Sequence, residues 1–201
     1  MTAPTHRRFS VCFALLGAMF IQFNNVNYYL AIIILLSFSR VGGLFPDVDH
    51  QWNKVKEKTA FNWCINKLIH LTNGHHRSWQ THSWDIAILF TVLSFKIPKW
   101  LFTVGIYSEI DREVLTLVLV GFSLGWLSHL FSDMLNHVGV RIVCWNNKKV
   151  KFVPKQLFGM KFVTGDDWEI FVNKFQKYLN FLIGLVVVAY PYRGAIIGLI
   201  M

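Results

Sequence analysis

The stretch Ser128-His129-Leu130-Phe131-Ser132-Asp133-Met134-Leu135-Asn136-His137 closes an apolar run with three side chains able to ligate a metal, His129, Asp133 and His137. Residues four apart on an α-helix stand roughly 40° apart about its axis, so the three would share one face. Imidazole nitrogens and a carboxylate oxygen on one face suit a zinc-type ion, which takes such donors at about 2.0 to 2.2 Å and keeps a position for water when it is catalytic. A single His in such a setting is more often a satisfied core residue. Its company weighs against that reading: Asp47-Val48-Asp49-His50, and His75-His76-Arg77 followed by Thr81-His82-Ser83, also abut long apolar runs.

Together His6, Asp47, Asp49, His50, His76, His82, His129 and Asp133 offer enough ligands for two or three ions. Ions about 3.5 to 4 Å apart can grip a phosphoryl group between them. Each residue alone has a plainer reading. Asp47 and Asp49 after Pro46 could cap a helix or form an Asx-turn. His6 with Arg7 and Arg8 could be a cytoplasmic anchor, and His75 a solvated neighbour. Arg77 suits bidentate pairing with a phosphate, or simply sets topology. Thr81 and Ser83 could be nucleophiles, but no base assignment for them is better than metal-bound water. HExxH and P-loop motifs are absent from the sequence, which removes the usual grounds for a zinc peptidase or an NTPase.

These residues must be held by elements that read as membrane helices. The 201 residues are 54% hydrophobic and only 15% charged, with a mean hydropathy of +0.40, where a soluble domain carries about 25% charge. Apolar runs span 9–23, 28–45, 84–95 continued by 100–107 beyond Pro98, 114–131 and 175–201, the last broken at Tyr190-Pro191-Tyr192-Arg193. The polar Asn24-Asn25-Val26-Asn27 makes the first two a helical hairpin, and the first reads as an uncleaved membrane helix rather than a signal peptide. Pro98 is expected to kink or end its helix. Gly121 and Gly125 offer a small face for close helix packing. Ile65, Leu68, Ile69 and Thr72 suggest a surface helix, and Val140–Val143 with Val150–Val153 a short β-hairpin about Trp145-Asn146-Asn147-Lys148. Cys12, Cys64 and Cys144 form no CxxC pair, so neither a zinc finger nor a disulfide framework is indicated.

The formal charge of +9 is unevenly placed. Sixteen of the 20 Lys and Arg fall at the N-terminus, at Arg40, between 46 and 83, or from Arg141 to Lys177. Lys96, Lys99, Arg112 and Arg193 are left for the opposite side. The positive-inside rule then puts the N-terminus and every candidate ligand on the cytoplasmic face.

The combination of Thr5-His6, Phe45-Pro46-Asp47-Val48-Asp49-His50, Gly74-His75-His76-Arg77 with Thr81-His82-Ser83, and Gly125-Trp126-Leu127-Ser128-His129 with Asp133 resembles the YdjM family of predicted membrane-bound, metal-dependent hydrolases. That family is similar in its His and Asp pattern to zinc-dependent phospholipase C and its single-strand nuclease relatives. The motifs cover residues 1 to about 160. One departure stands out: Ser78-Trp79-Gln80 replaces the family's Gly-x pair and lengthens the gap before Thr81 by one residue. The resemblance implies Asp47, His82, His129 and Asp133 as leading ligands, with His6, Asp49, His50 and His76 next. His137 matches no motif position.

The expected architecture is an all-α integral membrane protein forming one domain over 1–201. About five membrane-embedded helices carry a metal site at their cytoplasmic ends, with a small β-hairpin region and an extra C-terminal membrane segment at 175–201. The expected function is a bacterial inner-membrane hydrolase with two or three divalent ions, zinc by ligand type, cleaving a phosphoester of a phospholipid or lipid-linked phosphate. Asp49 and Arg77 are its expected catalytic residues. Two other readings stand beside it. One is a non-catalytic scaffold with a structural metal site. The other is a nuclease, for which Trp52, Trp63, Trp79 and Trp145 could stack bases, although interfacial anchoring also accounts for them.

Overall fold

The computed structural model describes residues 2–21, 24–49, 67, 69, 71, 79–136, 139–153, 156–157, 160–161 and 165–192. Helix α1 (Ala3–Phe20) starts with a proline in its first turn, where the missing N–H costs no helical bond. Asn27 caps α2 (Tyr28–Gly42), its side chain accepting from the Tyr29 and Leu30 N–H groups. A 3-10 turn, Phe45–Asp49, follows. Helix α3 is Trp84–Thr103 and α4 is Glu109–Met134, the latter opened by a capping box between Ser108 and Asp111. Helix α5 (Asp167–Ala189) ends in a 3-10 turn at Tyr190–Tyr192, at the break the sequence places there.

Helix α4 is central, with α1, α2 and α3 packed on it and α5 packed on α1. The α2–α4 contact is backbone on backbone. A Cβ on Gly125 would lie 2.0 Å from the Ser39 carbonyl oxygen, and one on Gly42 would lie 2.0 Å from that of Phe122. The small face expected at Gly121 and Gly125 is therefore the face that meets α2. Leu35, Leu117 and Val120 fill the core beside it.

Three helical stretches among the described residues are long and apolar enough to cross a membrane: Tyr28–Val48, Trp84–Thr103 and Glu109–Met134. Among the described residues the expectation of about five membrane-embedded helices is corrected to these three. Helix α1 has only 18 residues and carries His6, Arg7 and Arg8, while the first half of α5 carries Asp167, Glu169, Lys174 and Lys177. At Pro98, where the sequence allowed a kink or an end, α3 does not end but runs on to Thr103. Pro98 removes one N–H, and it sits on the buried stripe with Ala87 and Ser94, where packing holds the helix.

The expected hairpin is present in shorter form, Val140–Arg141 (β1) pairing antiparallel with Lys149–Val150 (β2). A second ribbon, Gln156–Leu157 (β3) with Met160–Lys161 (β4), was not expected. Of the expected surface helix only Lys67, Ile69 and Leu71 are described, and all three are helical.

Candidate metal centre

Four elements bring five of the expected ligands to one end of α4. His129 and Asp133 lie one turn apart on α4, His6 comes from α1, Asp47 from the 3-10 turn and His82 from the segment before α3. Asp133 is the hub. Its Oδ1 is 3.6 Å from His6 Nε2, while its Oδ2 is 3.9 Å from His82 Nε2 and 3.8 Å from His129 Nε2. Asp47 Oδ1 closes the other side, 3.8 Å from His129 Nε2.

The rings are oriented from behind. His129 Nδ1–H donates to the Gly43 carbonyl at 2.8 Å, leaving the Nε2 lone pair facing Asp47 and Asp133. The Ser132 hydroxyl donates to the His129 carbonyl, so at 2.6 Å it must accept from His6 Nδ1–H. His6 then also turns Nε2 toward Asp133. Thr81 Oγ1 lies 2.9 Å from His82 Nδ1. Partners of this kind on the far nitrogen fix tautomer and ring plane for metal ligation.

The local sequence explains the placement. Gly43 follows the close α2–α4 crossing, which brings its carbonyl to His129. Trp126 Nε1 donates to the Thr81 carbonyl at 2.8 Å and so holds the His82 segment. Phe45 packs edge-on against Trp126, centroids 4.9 Å apart, beside the buried Pro46, and this seats Asp47. On the far side of α1, the buried Glu169 of α5 accepts from the Thr2 N–H and from the Thr2 and Thr5 hydroxyls, next to His6. Sequence reasoning missed Gly43, Ser132 and Glu169. Glu169 had a weak signal, an acid in the first turn of a helix, but its bonds to α1 span more than 160 residues.

Electrostatics favours neutral imidazole at His6. Burial, reinforced by the neighbouring His129, holds it well below the usual histidine value, even though Asp133 acts in the other direction. The His6 and His129 rings stack with centroids 3.7 Å apart, which two imidazolium ions would resist.

The donor set fits a metal. Ligand atoms of His6, His129 and Asp133 lie within 4.8 Å of one another, as do those of Asp47, His82 and His129. Two ligands of a tetrahedral zinc-type ion stand about 3.3 Å apart, a few tenths of an ångström from the separations seen. His129 Nε2 is buried with no hydrogen-bond partner among the described residues, which is costly unless something fills the space before it. One imidazole nitrogen binds one ion, so the two groups cannot each hold an ion through His129.

Of the remaining expected site residues, His50, His76, Arg77 and His137 lie outside the described residues, and Asp49 is described only in its backbone. Arg141 is a further basic residue near the site. Its strand bridges to Ser83 beside His82, and its Nε is buried without a hydrogen-bond partner among the described residues.

A family model described as YdjM inner membrane protein matches residues 1–198, running past the motifs and through α5. No curated protein and no solved structure matches the chain.

Proposed function

Since the chain belongs to the YdjM inner membrane protein family, we propose that it is a membrane-bound, metal-dependent hydrolase acting on a phosphoester of a phospholipid or lipid-linked phosphate. The observation that carries this is the convergence of three imidazole Nε2 atoms on the carboxylates of Asp47 and Asp133, with each Nδ1 turned to a hydroxyl or carbonyl. His6, Asp47, His82, His129 and Asp133 would hold the zinc-type ions, with further ligands from Asp49, His50 and His76.

A divalent ion supplies Lewis acidity, polarising a phosphoryl oxygen and lowering the pKa of coordinated water toward about 7. The protein residues do the rest. Asp47, with 34% of its side chain exposed, gives the site its opening. Arg77 and Arg141 would pair with phosphoryl oxygens, and Asp49 would take the proton that the attacking water loses. The basic segments on this side gather anionic head groups at the cytoplasmic leaflet.

The test is elemental analysis of the detergent-purified protein together with phosphodiesterase and phospholipase assays, with and without chelator. The proposal expects bound zinc, chelator-sensitive hydrolysis, and loss of at least 100-fold in activity with depleted metal in His129→Ala and Asp133→Ala. A structural ion is the second reading, supported by the complete burial of His6, His129 and Asp133. Metal retained with no hydrolysis would select it. Metal-free protein would remove both.

A further inference from the structure

The other end of α4 carries a feature that the metal chemistry does not use. A cavity of about 280 Å³ opens there between α1, α3 and α4, with Lys99 and Arg112 in its wall beside Ile21, Phe95, Leu117 and Val120. Arg112 and Asp133 are 21 residues apart on one helix, or about 31 Å at 1.5 Å per residue. That matches a hydrocarbon core of about 30 Å, so the cavity lies at head-group depth in the leaflet opposite the His/Asp cluster.

Its charges are unequally satisfied. Glu113 also borders the cavity, but its oxygens accept from the Asn25 and Val26 N–H groups and from Asn25 Nδ2, which turns the carboxylate to the α1–α2 connection. Arg112 donates from one nitrogen to Glu109 at 3.3 Å and lies 5.0 Å over the Phe102 ring, with four N–H donors still to place. Lys99 makes no ion pair among the described residues. The far face holds few basic residues, and two of them share this one cavity.

The volume equals about nine waters, room for a phosphate and a few carbons but not for acyl chains. Those chains have a surface at hand, because Ile88, Val92 and Phe95 of α3 are exposed on a helix long enough to cross the membrane. We propose that the cavity binds the head group of one anionic phospholipid in the leaflet opposite the metal centre. The phosphate sits between Lys99 and Arg112, and the glycerol end lies against Phe95, Leu117 and Val120. A soluble phosphate ester shares the head-group chemistry; the adjoining apolar face of α3 assigns the site to lipid.

The experiment compares the protein in phosphatidylcholine nanodiscs with and without phosphatidylglycerol, alongside native mass spectrometry after delipidation. The expected result is a higher melting midpoint with phosphatidylglycerol and one retained phosphatidylglycerol per chain. In Lys99→Gln/Arg112→Gln, binding should weaken at least tenfold with the cluster's metal content unchanged. Leu117→Trp, which fills the cavity and keeps both cations, should weaken it too, and serves if the double variant is unstable. Equal midpoints in the two discs, or lipid retained by both variants as in the unmodified protein, would overturn the assignment. So would glycerol 3-phosphate alone reproducing the full shift in lipid-free detergent.

Discussion

Glu169 ties the helix that carries His6 to α5 from outside the His/Asp cluster. Its carboxylate accepts from Thr2, Thr5 and the Gly165 N–H, tying the first turn of α1, and so His6, to α5. Burial pushes its pKa up, but those hydrogen bonds outweigh burial and hold it below the ordinary carboxylate value. A depressed folded pKa stabilises the protein at pH above the unfolded value of about 4.3, and that stability is lost as pH falls through the folded value. Glu169→Gln should cost about 1–3 kcal/mol at neutral pH, with the gap in melting midpoint closing as the pH drops below the carboxylate range. A gap independent of pH would show that the charge plays no part. The His and Asp residues that the fold gathers at the end of α4 were legible in sequence, because His and Asp beside apolar runs are chemically conspicuous. The groups that aim them were not: the Gly43 carbonyl and the Ser132 hydroxyl are ordinary until the fold sets them against a ring.

Among the elements, the α2–α4 contact sets the register of the site. An alanine at Gly125 would put its Cβ 2.0 Å from the Ser39 carbonyl oxygen, a backbone atom that cannot rotate away. Gly125→Ala should therefore cost about 1–3 kcal/mol as overpacking. Metal content should fall with it, because moving α2 takes the Gly43 carbonyl from His129. Gly184→Ala, where nothing lies within 4 Å, is the control and should be neutral or stabilising by up to about 1 kcal/mol. Thermal melts read the first effect and elemental analysis the second. The pair Gly121 and Gly125 was readable as a small face in sequence, although its partner helix was not. At Pro98 the sequence allowed either a kink or an end, and with Pro98 buried beside Ala87 and Ser94 the helix does not end there.

At the scale of the molecule, the centre at one end of α4 and the cavity at the other give the two faces different chemistry, and orientation decides which compartment meets each. Read by the positive-inside rule, the charge asymmetry of the loops predicts that the His/Asp cluster faces the cytoplasm, an argument independent of the candidate ligands because it uses different residues. Two exposed positions flank α4 on opposite sides: Tyr107 just before its capping box, and Asn147 between β1 and β2 after its end. In a background with Cys12, Cys64 and Cys144 changed to Ser, Tyr107→Cys should react with a membrane-impermeant maleimide in cells whose inner membrane is intact. Asn147→Cys should react only after that membrane is permeabilised. The reverse pattern would place the metal centre on the outer face of the inner membrane. The lipid proposed at Lys99 and Arg112 would then belong to the cytoplasmic leaflet, and the proposed hydrolase would have to draw its phosphoester from outside.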